Sequence, residues 1–396
     1  MHVLAIGGAG VMGRAALYAV RDFPEVDQIT IADINLSAAN SAAKDIGTKA
    51  VPMKLDIMDE EALARAIGTA DVVLNTSGPF FRFGLHVLKA TIAAGRPYFD
   101  ICDDAEPTLD MLKLDHQARE SGTVAVVGIG ASPGLTNLLA VKAYRELDSV
   151  DRLITGWNVD GKIAEEEFKQ KKEQTPAAFV HWLEQLTGSI PVFSHGKPQY
   201  RKPLEPVLVN YPGLGKRKLY RVGHPEAITL GYNFTELTEA PNLMVLGTEV
   251  RIFLESLAKK VDKGELTVDE AADCLAQQRV AGIISLGGFL RIFLGKLQRE
   301  IDLPEAFALA EGHKNGKPST VACAVMSLPT FDLGACTGIP MAVALRLYLD
   351  KKISQPGVHA PETIIDPDDF FKAFLPYCRV PFIPTSIEEL IEVRRS

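Results

Sequence analysis

Cysteine is scarce in this chain. There are five, Cys102, Cys274, Cys323, Cys336 and Cys378, scattered and odd in number, with no C-x-x-C pair. That excludes a disulfide framework and a thiolate zinc site, so no metal is expected; it points to reduced thiols in a cytoplasmic protein. A surplus of positive charge is also missing. The formal net charge is −8, which excludes a broad basic surface for nucleic acid. The start, MHVLAIGG, has neither a basic n-region nor a cleavage site and is not read as a signal peptide. No apolar run suits a membrane span. The most apolar late stretch, VAGIISLGGFLRIFLGKL, is short and carries Arg291 and Lys296; a buried helix is expected there. Internal repeats and low-complexity runs are absent too. What remains is an ordinary globular composition, 47% apolar and 23% charged, over 396 residues, enough for two or three domains.

The first part of the chain alternates two patterns. MHVLAI, QITIA, VPMKLD, DVVLN, RPYFDI and TVAVVG are short apolar runs suited to strands buried on both faces. Between them lie helical segments such as Val11 to Asp22, LSAANSAAKDIG, DEEALARAIG and FGLHVLKATIAAG, most of them closed by glycine. The alternation predicts an α/β domain over residues 1–147, with a doubly wound parallel sheet and right-handed crossovers. From 148 to 330 the pattern turns α+β. SVDRLITGWNVDG reads as a long strand, a helix is expected from Thr175-Pro176, and PVFSHGKPQYRK and FALAEGHKNGKPSTVACAVMS read as hairpins, the second turning on Asn315-Gly316. Thr267-x-x-Glu270 is a capping box. From 331 to 396 a third texture holds the helix CTGIPMAVALRLYLDKK, an extended segment, a helix at Asp366-Pro367 and a last helix capped by Ser386.

Four of the first thirteen residues are glycine. Gly8-Ala9-Gly10-Val11-Met12-Gly13 follows the first strand and opens the first helix. In that setting G-x-G-x-x-G marks dinucleotide binding. The first two glycines let the backbone approach a pyrophosphate, Gly13 lets helix and strand pack closely, and the helix N-terminus offers N–H groups to the anion. This makes the domain a Rossmann fold. Asp33 ends the second strand, where a carboxylate accepts the adenosine ribose hydroxyls and repels a 2′-phosphate; Ile34 follows it, and no arginine stands there. NAD is therefore expected over NADP. Asp56 after the third strand reads as a group facing the adenine edge or as a helix cap.

The carboxyl ends of strands four to six supply the remaining candidates. In LNTSGPFF, Asn75, Ser77, Gly78 and Pro79 suit ribose or nicotinamide contacts, or form a plain turn. In YFDICDD, Asp100, Cys102, Asp103 and Asp104 cluster; Asp103 is the preferred acid/base and substrate group, and Cys102 reads equally as packing. In GIGASPGLTN, Ser132, Pro133 and Asn137 suit the nicotinamide end or a substrate carboxylate, or form a structural turn. His224 and Glu226, in RVGHPEAITL, read as a second acid/base and substrate pair, since histidine exchanges protons near neutral pH, or as plain structural residues, the commoner reading of a lone histidine in a turn. His195 reads as exposed and His86 as packed. Tyr348-x-x-x-Lys352 is taken as a chance match to the tyrosine–lysine pair of short-chain reductases.

IGGAGVMG, ITIADIN, LNTSGPF, the PYFDI stretch, GIGASPGLTN and, late in the chain, TGIPMAVAL with GVHAPE together resemble the saccharopine dehydrogenase-like family. That family includes lysine 6-dehydrogenase and carboxynorspermidine dehydrogenase. The resemblance implies NAD(P)-dependent oxidation or reduction at the C–N bond of an amino-acid-like substrate, a homodimer, and a C-terminal segment returning to the nucleotide domain. The middle region would close the cleft. ASPGLTN and DICDD depart from the saccharopine reductases, and GPF with DICDD is similar to distant members with other substrates. Two other readings stay open: a non-catalytic NAD-binding sensor or scaffold, and a reductase of a carbonyl or alkene.

Overall fold

In the computed structural model, residues 1–159, 177–277, 279, 282–284 and 303–396 are described. The start of the helix expected from Thr175-Pro176, and almost all of the apolar stretch 280–297, lie outside them. The chain divides into two units: unit 1 comprises Met1–Lys142 and Met326–Glu392, and unit 2 comprises Ala143–Val325 and Val393–Ser396.

Unit 1 is built on a seven-stranded parallel sheet. Its strands are β1 (His2–Ile6), β2 (Gln28–Asp33), β3 (Ala50–Lys54), β4 (Val72–Asn75), β5 (Tyr98–Asp100), β6 (Val124–Val126) and β15 (Gly357–His359), in the order β15-β6-β5-β4-β1-β2-β3. This is the doubly wound arrangement, with β1 between β2 and β4 at the point where strand order reverses. Val3, Leu4, Val72, Val73, Tyr98 and Phe99 are all fully buried, as strands covered on both faces require. Two of the helices between them start where a short polar side chain satisfies an orphan N–H group. Asn35 accepts from Ala38 N–H at the head of α2 (Leu36–Ile46), and Asp59 accepts from Ala62 N–H at the head of α3 (Glu60–Gly68). The helix Leu333–Leu349 packs along α1 (Val11–Val20) at very close range. A Cβ on Gly338 would stand 2.2 Å from the Met12 carbonyl oxygen, and one on Gly334 2.3 Å from a Val11 methyl.

The seventh strand, β15, is a departure from the six strands read in the sequence. It falls in the stretch read only as extended, and it pairs Gly357–His359 with Val124–Val126, far back in the chain. The last helix also differs: it is the single turn Ile387–Leu390, capped by Ser386, and it runs straight into β16 (Ile391–Arg395).

Unit 2 carries a mixed sheet of order β10-β11-β12-β7-β13-β14-β16. Its other strands are β7 (Ser149–Asn158), β10 (Pro206–Tyr211), β11 (Gly215–Arg221), β12 (Asn242–Val245), β13 (Ala306–Lys314) and β14 (Lys317–Val325). A separate hairpin pairs β8 (Ile190–Ser194) with β9 (Lys197–Arg201). Asn315 and Gly316 both take positive φ, 51° and 73°, the geometry that a two-residue hairpin turn demands. The Thr267–Glu270 capping box forms with both of its bonds. Helices Ala177–Glu184, Thr248–Asp262 and Val268–Ala276 bury Leu183, Leu254, Leu257 and Ala271 in one core with Val222 and Met244 of the sheet region.

Candidate functional site

The glycine loop sits at the reversal point of the parallel sheet. Gly7, rather than the first motif glycine, takes the left-handed conformation, at φ +69°, and a Cβ there would lie 2.8 Å from Ser77 N. The loop after β1 and the loop after β4 therefore touch backbone to backbone. Gly13 is the packing glycine: its Cβ would meet Gly8 Cα at 2.7 Å and Thr76 Oγ1 at 2.8 Å. Gly8 and Ala9 are buried, Gly10 and Val11 exposed, and Met12 half-buried. Gly10 caps α1 without any side-chain bond, and the first turn holds no acidic residue. The N–H groups of this turn have no intrahelical acceptors, and no carboxylate of the helix competes for them. That is a cradle shaped for an anion.

Arg14 holds the cradle from behind. Its Nε donates to the Ala9 carbonyl at 2.9 Å, and its Nη1 pairs with Asp45 of α2 at 2.6 Å. Sequence reasoning missed this arginine, although its place directly after Gly13 was the available signal.

Asp33 is half-buried at the end of β2. Its Oδ1 accepts from Asn35 N–H at 2.9 Å; among the described residues Oδ2 has no hydrogen-bond partner. Ile34 is exposed beside it. Asp56 is exposed, and its Oδ1 accepts from Met58 N–H at 2.9 Å, while the following helix is capped by Asp59. Asp56 thus shapes the loop after β3 and is not the helix cap.

Three loops form the rim at the ends of β4, β5 and β6, and one buried network joins them. Asn75 donates through Nδ2 to Tyr98 Oη at 2.9 Å, and its Oδ1 accepts from Ser77 N–H at 3.0 Å and from the Ser77 hydroxyl at 2.5 Å. Tyr98 Oη donates to Asp100 Oδ2 at 2.8 Å. Asp100 Oδ1 accepts from Cys102 N–H at 3.0 Å and Gly128 N–H at 2.7 Å. Asp100 is fully buried. Burial pushes its carboxyl up to about 6, against the lowering effect of the Gly128, Cys102 and Tyr98 hydrogen bonds, and the neighbouring Asp103 charge adds to the rise. Burial also drives the Tyr98 phenol well above its ordinary range.

This arrangement corrects several expected direct contacts. The side chains of Asn75, Cys102 and Asn137 are fully buried, so they support the rim instead of facing a ligand. The Cys102 thiol is raised well above its usual range by burial and then by the Asp100 charge, and it accepts from Thr108 Oγ1 at 3.4 Å; it is not a nucleophile. Asn137 accepts from Gly134 N–H at 2.8 Å and donates to Glu362 at 2.8 Å, tying the 130–134 loop to the C-terminal segment. Pro133 is buried within that loop, and its carbonyl accepts from Gly130 N–H. The groups left at the rim surface are Ser77, Gly78, Pro79, Asp103 and Ser132, half-buried or exposed. Asp104 accepts from Phe81 N–H at 3.1 Å, linking two of the rim loops.

His224 and Glu226 belong to unit 2. His224 is 6% exposed, its ring stacks on Trp157 at 5.5 Å, and Nε2 bonds Gln185 Oε1 at 3.0 Å. Glu226 is fully buried, 3.9 Å from His224 Nδ1, and accepts from Asn242 Nδ2 at 3.0 Å. Glu226 is thus enclosed with His224 and Asn242 in this buried polar group. His86 bonds the Ile57 carbonyl at 2.8 Å, and His195 is exposed at its hairpin turn. All five cysteines are buried and unpaired with one another. Among the described residues, no cluster of His, Cys, Asp and Glu could hold a metal, and no helix is long and apolar enough to cross a membrane.

Comparison with known proteins agrees with this geometry. Residues 3–126 match the family described as the saccharopine dehydrogenase NADP binding domain. The NADP(+), L-glutamate-forming saccharopine dehydrogenase of Schizosaccharomyces pombe is 29% identical over 122 residues, which span 31% of this chain but only 26% of that enzyme. Carboxyaminopropylagmatine dehydrogenase of Synechocystis is 22% identical, with 93% of each chain covered. The apo saccharopine dehydrogenase (L-Glu forming) of Saccharomyces cerevisiae shares the fold, with a TM-score of 0.62 at 17% identity over 100% of this chain and 99% of that one. Residues 3–126 are thus similar in sequence to the saccharopine dehydrogenase NADP binding domain, and the whole chain shares the fold of that yeast saccharopine dehydrogenase.

Proposed function

We propose that this protein is an NAD-dependent oxidoreductase that acts on the C–N bond of an amino-acid-like substrate. The observation that carries the reading is the uncapped, acid-free N-terminus of α1, framed by glycines whose Cβ atoms would collide with the loop after β4, within a segment matching a nucleotide-binding family. When bound, the nicotinamide cofactor supplies a hydride acceptor or donor. The first-turn N–H groups would hold its pyrophosphate, and Asp33 Oδ2 its adenosine ribose. In the oxidative direction hydride leaves the carbon bearing the amine, a proton leaves the nitrogen, and the resulting imine is opened by water. Asp103 is the proposed group for that proton and Ser132 for the substrate carboxylate, with His224 as a second acid/base candidate in unit 2.

NADP has one observation in its favour besides the name of the matched family: Lys54 stands beside Asp33 in the β2–β3 register. A homodimer is proposed from the resemblance and from the prevalence of two-fold oligomers. Five buried thiols suit a reducing cytoplasm.

The test is turnover of NAD and NADP with saccharopine, carboxyaminopropylagmatine and lysine. Reduction of NAD by at least one of these amines is the expected result. Tight nucleotide binding with no turnover of any of them would overturn the enzymatic reading.

A further inference from the structure

We propose that Asp100 is a positioning residue: its ionised carboxylate ends one directed chain of hydrogen bonds that sets the backbone of all three rim loops. This rests on reading the rim as the nicotinamide edge of the site.

The direction of the chain follows from donors that cannot reverse. Gly128 N–H and Cys102 N–H can only donate, so Asp100 Oδ1 must accept both. Asp100 Oδ2 then takes the Tyr98 proton, which leaves the phenol oxygen to accept from Asn75 Nδ2. That fixes the Asn75 amide with its Oδ1 toward Ser77, where it accepts from a backbone N–H that also cannot reverse. The proton order over β4, β5 and β6 is therefore set by one terminal acceptor. All four side chains lie in unit 1, and Asn75, Tyr98 and Asp100 are fully buried.

Asparagine at position 100 would keep the shape and reverse the order. Its oxygen would still serve Gly128 and Cys102, but its NH2 would face Tyr98 Oη and could only donate. The phenol proton would then need a new acceptor, and the nearest is Asn75. Turning that amide presents NH2 to Ser77 N–H, donor against donor. The disturbance thus emerges at the SGP turn, on a different strand end from the substitution. A carboxylate is costly in this buried setting, and an apolar or amide filler would avoid that cost. The chain spends it where backbone N–H groups of two loops converge on one oxygen.

The test compares binding of NADH, or NADPH if it binds the wild type more tightly, with binding of ADP-ribose. ADP-ribose shares the cradle and Asp33 but has no nicotinamide. For D100N we expect affinity for the reduced dinucleotide to fall about 10-fold, the scale of one misplaced hydrogen-bonding group, with ADP-ribose affinity unchanged. Y98F removes the middle of the chain and serves as the second variant if D100N fails to fold; the same selective loss is expected. Equal loss of both ligands, or no loss of either, would overturn the proposal. A wild type that binds neither nucleotide would instead overturn the reading of the site.

Discussion

Each unit buries a polar network, but the two networks end on different things. In unit 1 the chain Asn75–Tyr98–Asp100 terminates on backbone N–H groups of Ser77, Cys102 and Gly128, all in loops. In unit 2 the group around Glu226 joins side chains of packed elements: Asn242 of β12 donates to both Glu226 and Thr155 of β7, and Trp157 Nε1 donates to Asn242 Oδ1 at 3.3 Å. A network that ends on loop backbone sets the shape of a rim. A network that ends on core side chains holds helix to sheet. Damage to the first should appear in ligand affinity, and damage to the second in stability.

The sharpest way to break this contrast is at the cradle. Gly13→Ala places a Cβ 2.7 Å from Gly8 Cα and 2.8 Å from Thr76 Oγ1. Overpacking of this kind costs about 1–3 kcal/mol, and here it falls on the loop itself. Calorimetric titration should show dinucleotide affinity reduced by about 100-fold or more, since about 2.8 kcal/mol corresponds to that factor. Unchanged affinity would contradict the cradle.

Glu226→Ala probes the other unit. It strips Asn242 of a buried acceptor, which costs about 1–3 kcal/mol. Urea unfolding should show that loss. A variant as stable as the wild type would mean that the unit 2 network carries no structural weight.

Asp100 links the two criteria through pH. Its carboxyl is raised from the ordinary 3.8 to about 6, so the folded protein keeps a proton that the unfolded chain has lost. This group's contribution to stability is therefore full below 3.8, is lost as pH rises toward 6, and is flat above. The two-unit window corresponds to at most about 3 kcal/mol. The difference in unfolding free energy between wild type and D100N should change across pH 4–6 and not across pH 7–8. A difference with no slope in the lower window would show that the carboxyl is not raised.

The smallest effect is expected at Asp33. Asp33→Ala removes the proposed ribose acceptor and the carboxylate proposed to repel a 2′-phosphate, so the NAD-to-NADP affinity ratio should fall about 10-fold, the order of one charge-assisted hydrogen bond. An unchanged ratio would remove Asp33 from the ribose assignment.

Local chemistry made much of this fold legible. The glycine loop, the Thr267 capping box and the Asn315-Gly316 turn depend on residues a few positions apart, and the structure contains each of them. Long-range pairing was not legible: the segment of β15 reads as extended, but its partner β6 lies far away in the chain. The site divides along the same line. The acid-rich DICDD stretch was visible as composition, but not that Asp100 turns into the sheet while Asp103 stays at the rim. Asn75, Cys102 and Asn137 carry chemistry that suits a ligand contact, but their side chains are fully buried and hold the loops instead. Alternation along β5 cannot show which acid is inward when the strand is covered on both faces.

A crystal structure of the protein with NADH would test the central claim most directly. The account expects the pyrophosphate on the first-turn N–H groups of α1, the adenosine ribose on Asp33, and the nicotinamide against the Ser77, Asp103 and Ser132 rim. A dinucleotide bound away from the Gly8–Gly13 loop, or bound there with its nicotinamide turned from those three residues, would contradict it.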